Sequence, residues 1–212
     1  MVARRIITWP DKSLKIKSDN INMVKSKDFA LSLAMDLRDT MKANLGLGIA
    51  APQVNIHKKM CVVSKVDFTS IPEDKMLEGC IVLINPAIEI ISNDKVKSAE
   101  SCLSIPGAVD TVDRYFSIDI SYLNLSSEKM TFNLKGRDAC IIQHEVDHLF
   151  GKLFIDRMSF LKKKSFIKKY TNKSSTLKKL TVEEKKEKSK RKAILTMKKN
   201  RKNRKKIKSS NK

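Results

Sequence analysis

Apolar residues recur every four positions at Phe29, Leu33, Leu37 and Met41, with Ala30 and Ala34 beside them and Asp36, Arg38 and Asp39 elsewhere. That stripe predicts an amphipathic helix laid on a core. Asn44-Leu45-Gly46 ends it. From about Lys59 the pattern turns to β-branched runs, Met60-Cys61-Val62-Val63, Cys80-Ile81-Val82-Leu83-Ile84 and then Ile88, Ile90 and Ile91. Phe116, Ile118, Ile120 and Tyr122 alternate with Ser117, Asp119 and Ser121, and Met130, Phe132 and Leu134 alternate again before Gly136. Alternation of this kind belongs to antiparallel strands with one solvated face. A second helix is predicted from about Asp138, a residue able to cap its N-terminus, to Phe150, with Gly151 as the stop. The order helix, strands, helix predicts an α+β domain.

Charge divides the chain. Residues 161–212 hold 23 of the 44 Lys and Arg but only 3 of the 23 Asp and Glu, so a nearly neutral body, residues 1–160, carries a basic extension. The body is long enough to bury one core without disulfides. The extension has too few apolar residues to fold alone beyond one helix, and is read as partly helical or disordered. No run approaches the roughly 20 apolar residues of a membrane span, and Trp9, Pro10 and Asp11 interrupt the start before an apolar signal segment can build. Secretion and membrane insertion are therefore set aside. Cys61, Cys80, Cys102 and Cys140 read as reduced thiols or metal ligands, and the compartment reads as cytoplasmic, with an organellar address left open.

The second predicted helix contains His144-Glu145-Val146-Asp147-His148. Imidazoles at i and i+4 share a face one turn apart and can reach one metal, with Glu145 beside the first able to act on a water held there. A catalytic site of this type needs a third protein ligand. The position that would carry a later His in one large class of metalloproteases is Phe154, and Glu183, Glu184 and Glu187 lie in the basic extension. The remaining donors are His57 and the four cysteines. Cys102 stands out, in the turn-like segment Glu100-Ser101-Cys102-Leu103-Ser104-Ile105-Pro106-Gly107, whereas Cys61 and Cys80 lie in strand runs.

Together these residues resemble the peptide deformylase family. Gly46-Leu47-Gly48-Ile49-Ala50-Ala51-Pro52-Gln53, Glu100-Ser101-Cys102-Leu103-Ser104 and Gln143-His144-Glu145-Val146-Asp147-His148 stand in the order of that family's three motifs. Pro10-Asp11 with Leu14, Leu83-Ile84-Asn85-Pro86 and the segment from Leu149 to Arg157 extend the likeness across nearly the whole body. The resemblance implies antiparallel sheets packed around a central metal-binding helix. It implies an enzyme that removes the formyl group from the N-terminal formylmethionine of new polypeptides and releases formate.

The same resemblance assigns roles. Cys102, His144 and His148 would hold one divalent metal ion, ferrous iron by family, although one thiolate and two imidazoles also suit zinc, nickel or cobalt. Glu145 would carry the water's proton to the departing amine. The Leu103 N–H and the Gln53 side-chain amide would stabilise negative charge on the formyl oxygen. Backbone groups of Gly48 and Ser101 would pair with the substrate as an added strand, while Leu47, Leu103, Cys140 and Ile141 would form the methionine pocket. Glu100 and Arg114 would form an ion pair bracing the Cys102 loop, and Asp147 reads as a helix-surface or bracing residue rather than a ligand. Ser101 stands where the family usually has Gly; a left-handed backbone there would carry strain of about 1 kcal/mol. The expected partners are formylated nascent polypeptides and, through the basic extension, the ribosome and its RNA. The rival readings are a catalytically weak relative acting as a ribosome- or RNA-binding protein, and a general metalloprotease.

Overall fold

The computed structural model describes residues 3–64 and 77–171, and the chain divides into two compact units, Met1–Ser159 and Phe160–Lys212. The first unit contains, in order, α1 (Lys27–Ala43), β1 (Gly48–Ala50), β2 (Met60–Ser64), β3 (Cys80–Ile90), β4 (Lys95–Cys102), β5 (Ile105–Tyr115), β6 (Ser117–Leu123), β7 (Lys129–Lys135) and α2 (Gly136–Leu149). In the second, residues 160–171 are helical, with the rings of Phe166 and Tyr170 stacked 6.0 Å apart. The expected basic extension beyond residue 171 lies outside the described residues. Among those described, no helix is long and apolar enough to cross a membrane.

The strands form an antiparallel five-stranded sheet in the order β1-β2-β3-β6-β7 and a separate hairpin, β4-β5. The large sheet has a core on each face. On one side Leu33, Leu37 and Met41 of α1 pack on Ile49, Met60, Val62, Val82 and Ile84. On the other, Ala139, Ile142, Val146 and Leu149 of α2 pack on Cys61, Val63, Ile81, Leu83, Ile118 and Ile120. This explains why β2 and the first half of β3 read as continuous apolar runs, being covered on both sides, while β6 and β7 alternate. The α+β reading agrees with this architecture, and α2 lies centrally.

Local details differ from the sequence reading. Phe29 begins the α1 stripe but is 44% exposed while its neighbour Ala30 is fully buried, because steps of four residues drift around a 3.6-residue helix and leave Phe29 at the edge of the buried face. Ile90, Ile91 and Phe116 are exposed where β3 and the β5–β6 connection run beyond the core. Helix α2 begins at Gly136, not near Asp138, and its cap residue Lys135 makes no side-chain bond. Asp138 therefore sits within the first turn, where a carboxylate is favoured by the helix dipole. Gly151 does stop the helix, at φ +68°, and a Cβ there would overlap the Lys15 carbonyl.

The hairpin is the largest element without an apolar signature. Its strand β4, with Ser98, Ala99 and Glu100 at its centre, has no apolar alternation because much of one face borders a cavity. Glu100, Ser101 and Cys102 belong to the end of this strand, and the turn itself is confined to the residues before Ile105. Ser101 pairs with Val109 and is absent from the left-handed region, so the strain expected for a non-glycine residue there does not arise.

Candidate active site

Helix α2 presents His144 and His148 on one face, and the end of β4 brings Cys102 against them. The Cys102 Sγ lies 3.3 Å from His148 Nε2, which lies 3.3 Å from His144 Nε2. All three donor atoms fall within 4.8 Å of one another, and all three residues are buried. Among the described residues no other such group of donors occurs. His57 is not part of it, and Cys61 and Cys80 are buried in β2 and β3. Two imidazole Nε2 atoms facing each other at this distance, with a thiol beside them, lack enough protons to satisfy every contact. A divalent cation satisfies all three, so the donor set fits a metal ion.

Burial disfavours charge on both rings. For His148 it prevails, and together with neighbouring His144 holds the ring well below the usual histidine range. For His144 it is outweighed by Cys102 and Glu100, which hold that ring well above it. Neutral imidazole is the metal-binding form. Phe154, 1% exposed, stacks on the His144 ring at 6.3 Å, so this side chain packs on a donor instead of supplying one.

Behind the donors lies a buried ionic network. Glu100 Oε2 accepts from His144 Nδ1 at 2.8 Å, fixing which nitrogen faces the thiol. Arg114, 2% exposed, donates to both oxygens of Glu100 at 2.7 and 2.9 Å and to Asp147 at 2.5 Å. Asp147 also accepts from Arg157 through Nε at 2.9 Å and through Nη2. Burial alone would push the Glu100 carboxyl up, but the Arg114 fork and the His144 ring outweigh it and hold it at about 2. Of the two roles left open for Asp147, helix-surface or bracing, the structure shows the bracing one, and Arg157 is a partner that carries no sequence signal for this role, since it lies beyond the helix. Gln143 clamps α2 to the end of β5, accepting from the Tyr115 N–H at 3.0 Å and donating to its carbonyl at 2.8 Å.

In front lies a cavity of about 670 Å³ lined by Gly46, Leu47, Gly48 and Gln53, by Ser98 to Leu103, and by Arg137, Cys140, Ile141, His144 and Glu145. His148 and Arg114 do not line it. Two strand edges open onto it, because among the described residues β1 ends the large sheet and β4 pairs with β5 alone. Glu145 is 5% exposed; burial pushes its carboxyl up to about 7, and its Oε2 has no hydrogen-bond partner. Gly48 faces this carboxyl so closely that a Cβ would stand 2.7 Å from Cδ. Glycine is thus required by Glu145 itself, apart from any pairing role. Gln53 accepts from the Ala50 N–H at 2.8 Å and points Nε2 at Ser104 Oγ, 3.1 Å away, and at Cys102 Sγ, 3.6 Å away. Ser104 was not singled out by the sequence, and its only signal is its place beside Cys102 and Leu103.

Comparison with known proteins gives consistent matches. The sequence model of the polypeptide deformylase family matches residues 3–164. The peptide deformylase of Orientia tsutsugamushi (strain Boryong) is 39% identical over 166 residues, 76% of this chain and 89% of that protein. Among solved structures, a peptide deformylase from Legionella pneumophila superposes with a TM-score of 0.70 at 30% identity, covering 83% of this chain and 98% of its own. The Met-Ala-Ser-bound class I type b peptide deformylase from Acinetobacter baumannii superposes at 0.65 with 31% identity, covering 74% and 99%.

Proposed function

The chain belongs to the polypeptide deformylase family, metal-dependent hydrolases that remove the formyl group from the N-terminal formylmethionine of new polypeptides, and on that premise we propose how its own residues carry the reaction. Cys102, His144 and His148 hold one divalent ion. When bound, such an ion acts as a Lewis acid and lowers the pKa of a coordinated water toward neutrality. Glu145 takes a proton from the attacking water as its oxygen adds to the formyl carbon, then delivers it to the amine nitrogen as the C–N bond breaks and formate leaves. The Leu103 N–H and the Gln53 amide donate to the formyl oxygen while it carries negative charge, and losing such a donor costs roughly 100-fold or more in rate.

The observation that carries this assignment is the convergence of three buried metal-type donors and an unpartnered carboxyl oxygen beside one cavity. The open edges at Gly48 and Ser101 support the substrate as an added strand, with Leu47, Leu103, Cys140 and Ile141 around the methionine side chain. Glu100, braced by Arg114, orients His144. The Acinetobacter relative's bound Met-Ala-Ser is the peptide that deformylation of formyl-Met-Ala-Ser leaves, which supports a peptide of this kind as the product here. Ferrous iron is the ion we assign; a substrate that emerges from ribosomes is met in the cytoplasm, the compartment assigned with it. The residues up to Ser159 form the catalytic domain in this reading.

Protein loaded with ferrous iron without oxygen is expected to release formate from formyl-Met-Ala-Ser. Complete chelation should abolish release and restored iron should return it, both followed by formate assay beside metal analysis. Release that survives chelation, or cleavage of unformylated peptides at internal bonds, would overturn the assignment.

The basic extension is assigned a contact with ribosomal RNA, supported by its 23 Lys and Arg and by the electrostatic pull of a polyanion. Deleting residues 172–212 should remove low-salt co-sedimentation with ribosomes and leave formate release intact. Unchanged co-sedimentation would count against that contact.

A further inference from the structure

We infer that the methionine pocket ends in a polar wall made by Ser98, Cys140 and Arg137, and that this site also accepts N-formyl residues of methionine length whose side chain ends in a hydrogen-bond acceptor, methionine sulfoxide above all. The inference rests on the deformylase reading and names a second substrate class for the same site.

Two rails run outward from the metal-type donors. On α2, Arg137, Cys140, Ile141 and His144 are spaced i, i+3, i+4 and i+7, and all four line the cavity. Seven residues of helix span about 10 Å. On β4, Ser98 and Glu100 share one face, two residues apart. Glu100 bonds His144, and one step outward Ser98 and Cys140 both line the cavity. Arg137 follows one helical turn further out, exposed at the cavity wall.

Chemistry therefore changes along the cavity. Leu47, Leu103 and Ile141 supply apolar surface to the cavity, whereas Ser98, Cys140 and, one helical turn further from His144, Arg137 offer a hydroxyl, a thiol and a guanidinium. Glu100 does not oppose these donors, since both its oxygens are taken by Arg114 and one also by His144. A thioether sulfur is only a weak acceptor and gains little from such a wall. A sulfoxide oxygen is a strong one, and in a wholly apolar pocket the loss of its hydrogen bonds to water would cost roughly 10- to 100-fold in kcat/KM. Arg137 offers five N–H donors in a fixed fork, so it can replace that water.

The test measures kcat/KM for formate release from formyl-Met-Ala-Ser and from its methionine sulfoxide counterpart with iron-loaded protein. The two should agree within about 5-fold, and Arg137→Leu and Ser98→Val should each lower the sulfoxide-to-methionine ratio by about 10-fold. Arg137 is exposed, so its substitution should leave the fold intact, and far-UV circular dichroism checks this. Discrimination above about 100-fold in the unmodified protein, or a ratio that neither variant moves, would overturn the polar wall while leaving the deformylase reading in place. Failure of both peptides to release formate would overturn both.

Discussion

Glu145→Gln should lower kcat/KM for formate release by about 1000-fold while the protein still binds one metal ion per chain. The magnitude is that of a lost general acid and base. Gln keeps the volume of Glu, so the close approach of Gly48 and the packing of α2 survive the change. What it removes is the group that can both accept and return a proton. In the protein this group is well suited to the task, because burial holds the carboxyl up at about 7 and Oε2 has no protein partner to compete for the proton. Formate assay beside metal analysis separates lost chemistry from lost metal. A variant that kept a tenth of the activity with its metal bound would exclude Glu145 from the proton transfer.

Arg114→Met should cost about 3–5 kcal/mol of stability, read as a shift of the urea midpoint in metal-free protein at unchanged slope. Arg114 is 2% exposed and its guanidinium bridges Glu100 and Asp147, two carboxylates that burial would otherwise penalise. Met matches its length without its charge, so Glu100 is left with His144 and Asp147 with Arg157 alone. Adding Glu100→Gln should recover part of the loss, since the deficit is an uncompensated buried charge and not a missing contact. The single variant should also bind metal 10- to 100-fold more weakly, at the scale typical of losing a partner that orients a ligating histidine. A stability loss below about 1 kcal/mol would show that the ion pair is replaced by solvent.

Much of the fold can be read along the chain because its strongest signals are local. The α1 stripe from Leu33 to Met41 and the alternation from Ile118 to Tyr122 follow the 3.6- and 2-residue periods of the backbone, and both correspond to buried faces. The β4-β5 hairpin carries no such signal, because Ser98, Ala99 and Glu100 border a cavity and a buried ion pair in place of an apolar core. The start of α2 differs from the pattern for a related reason. Asp138 has the chemistry of a cap, but the preceding strand runs to Lys135 and Gly136 turns the chain at φ +59°, so the helix begins two residues early.

The sequence by itself determined that this is an α+β protein with two histidines and a glutamate on one helical face, since i and i+4 must meet wherever a helix forms. It also pointed to Cys102, first as the donor in a turn-like segment and then through resemblance to a family. Only the tertiary structure decided that Cys102 reaches His148, that Arg114 joins Glu100 to Asp147, that Gly48 is bare because Glu145 occupies its space, and that Ser98 and Cys140 line one cavity. Each of these pairs residues from different elements, brought together when the hairpin and one face of the large sheet close on α2. No period along the chain encodes such distances; packing sets them.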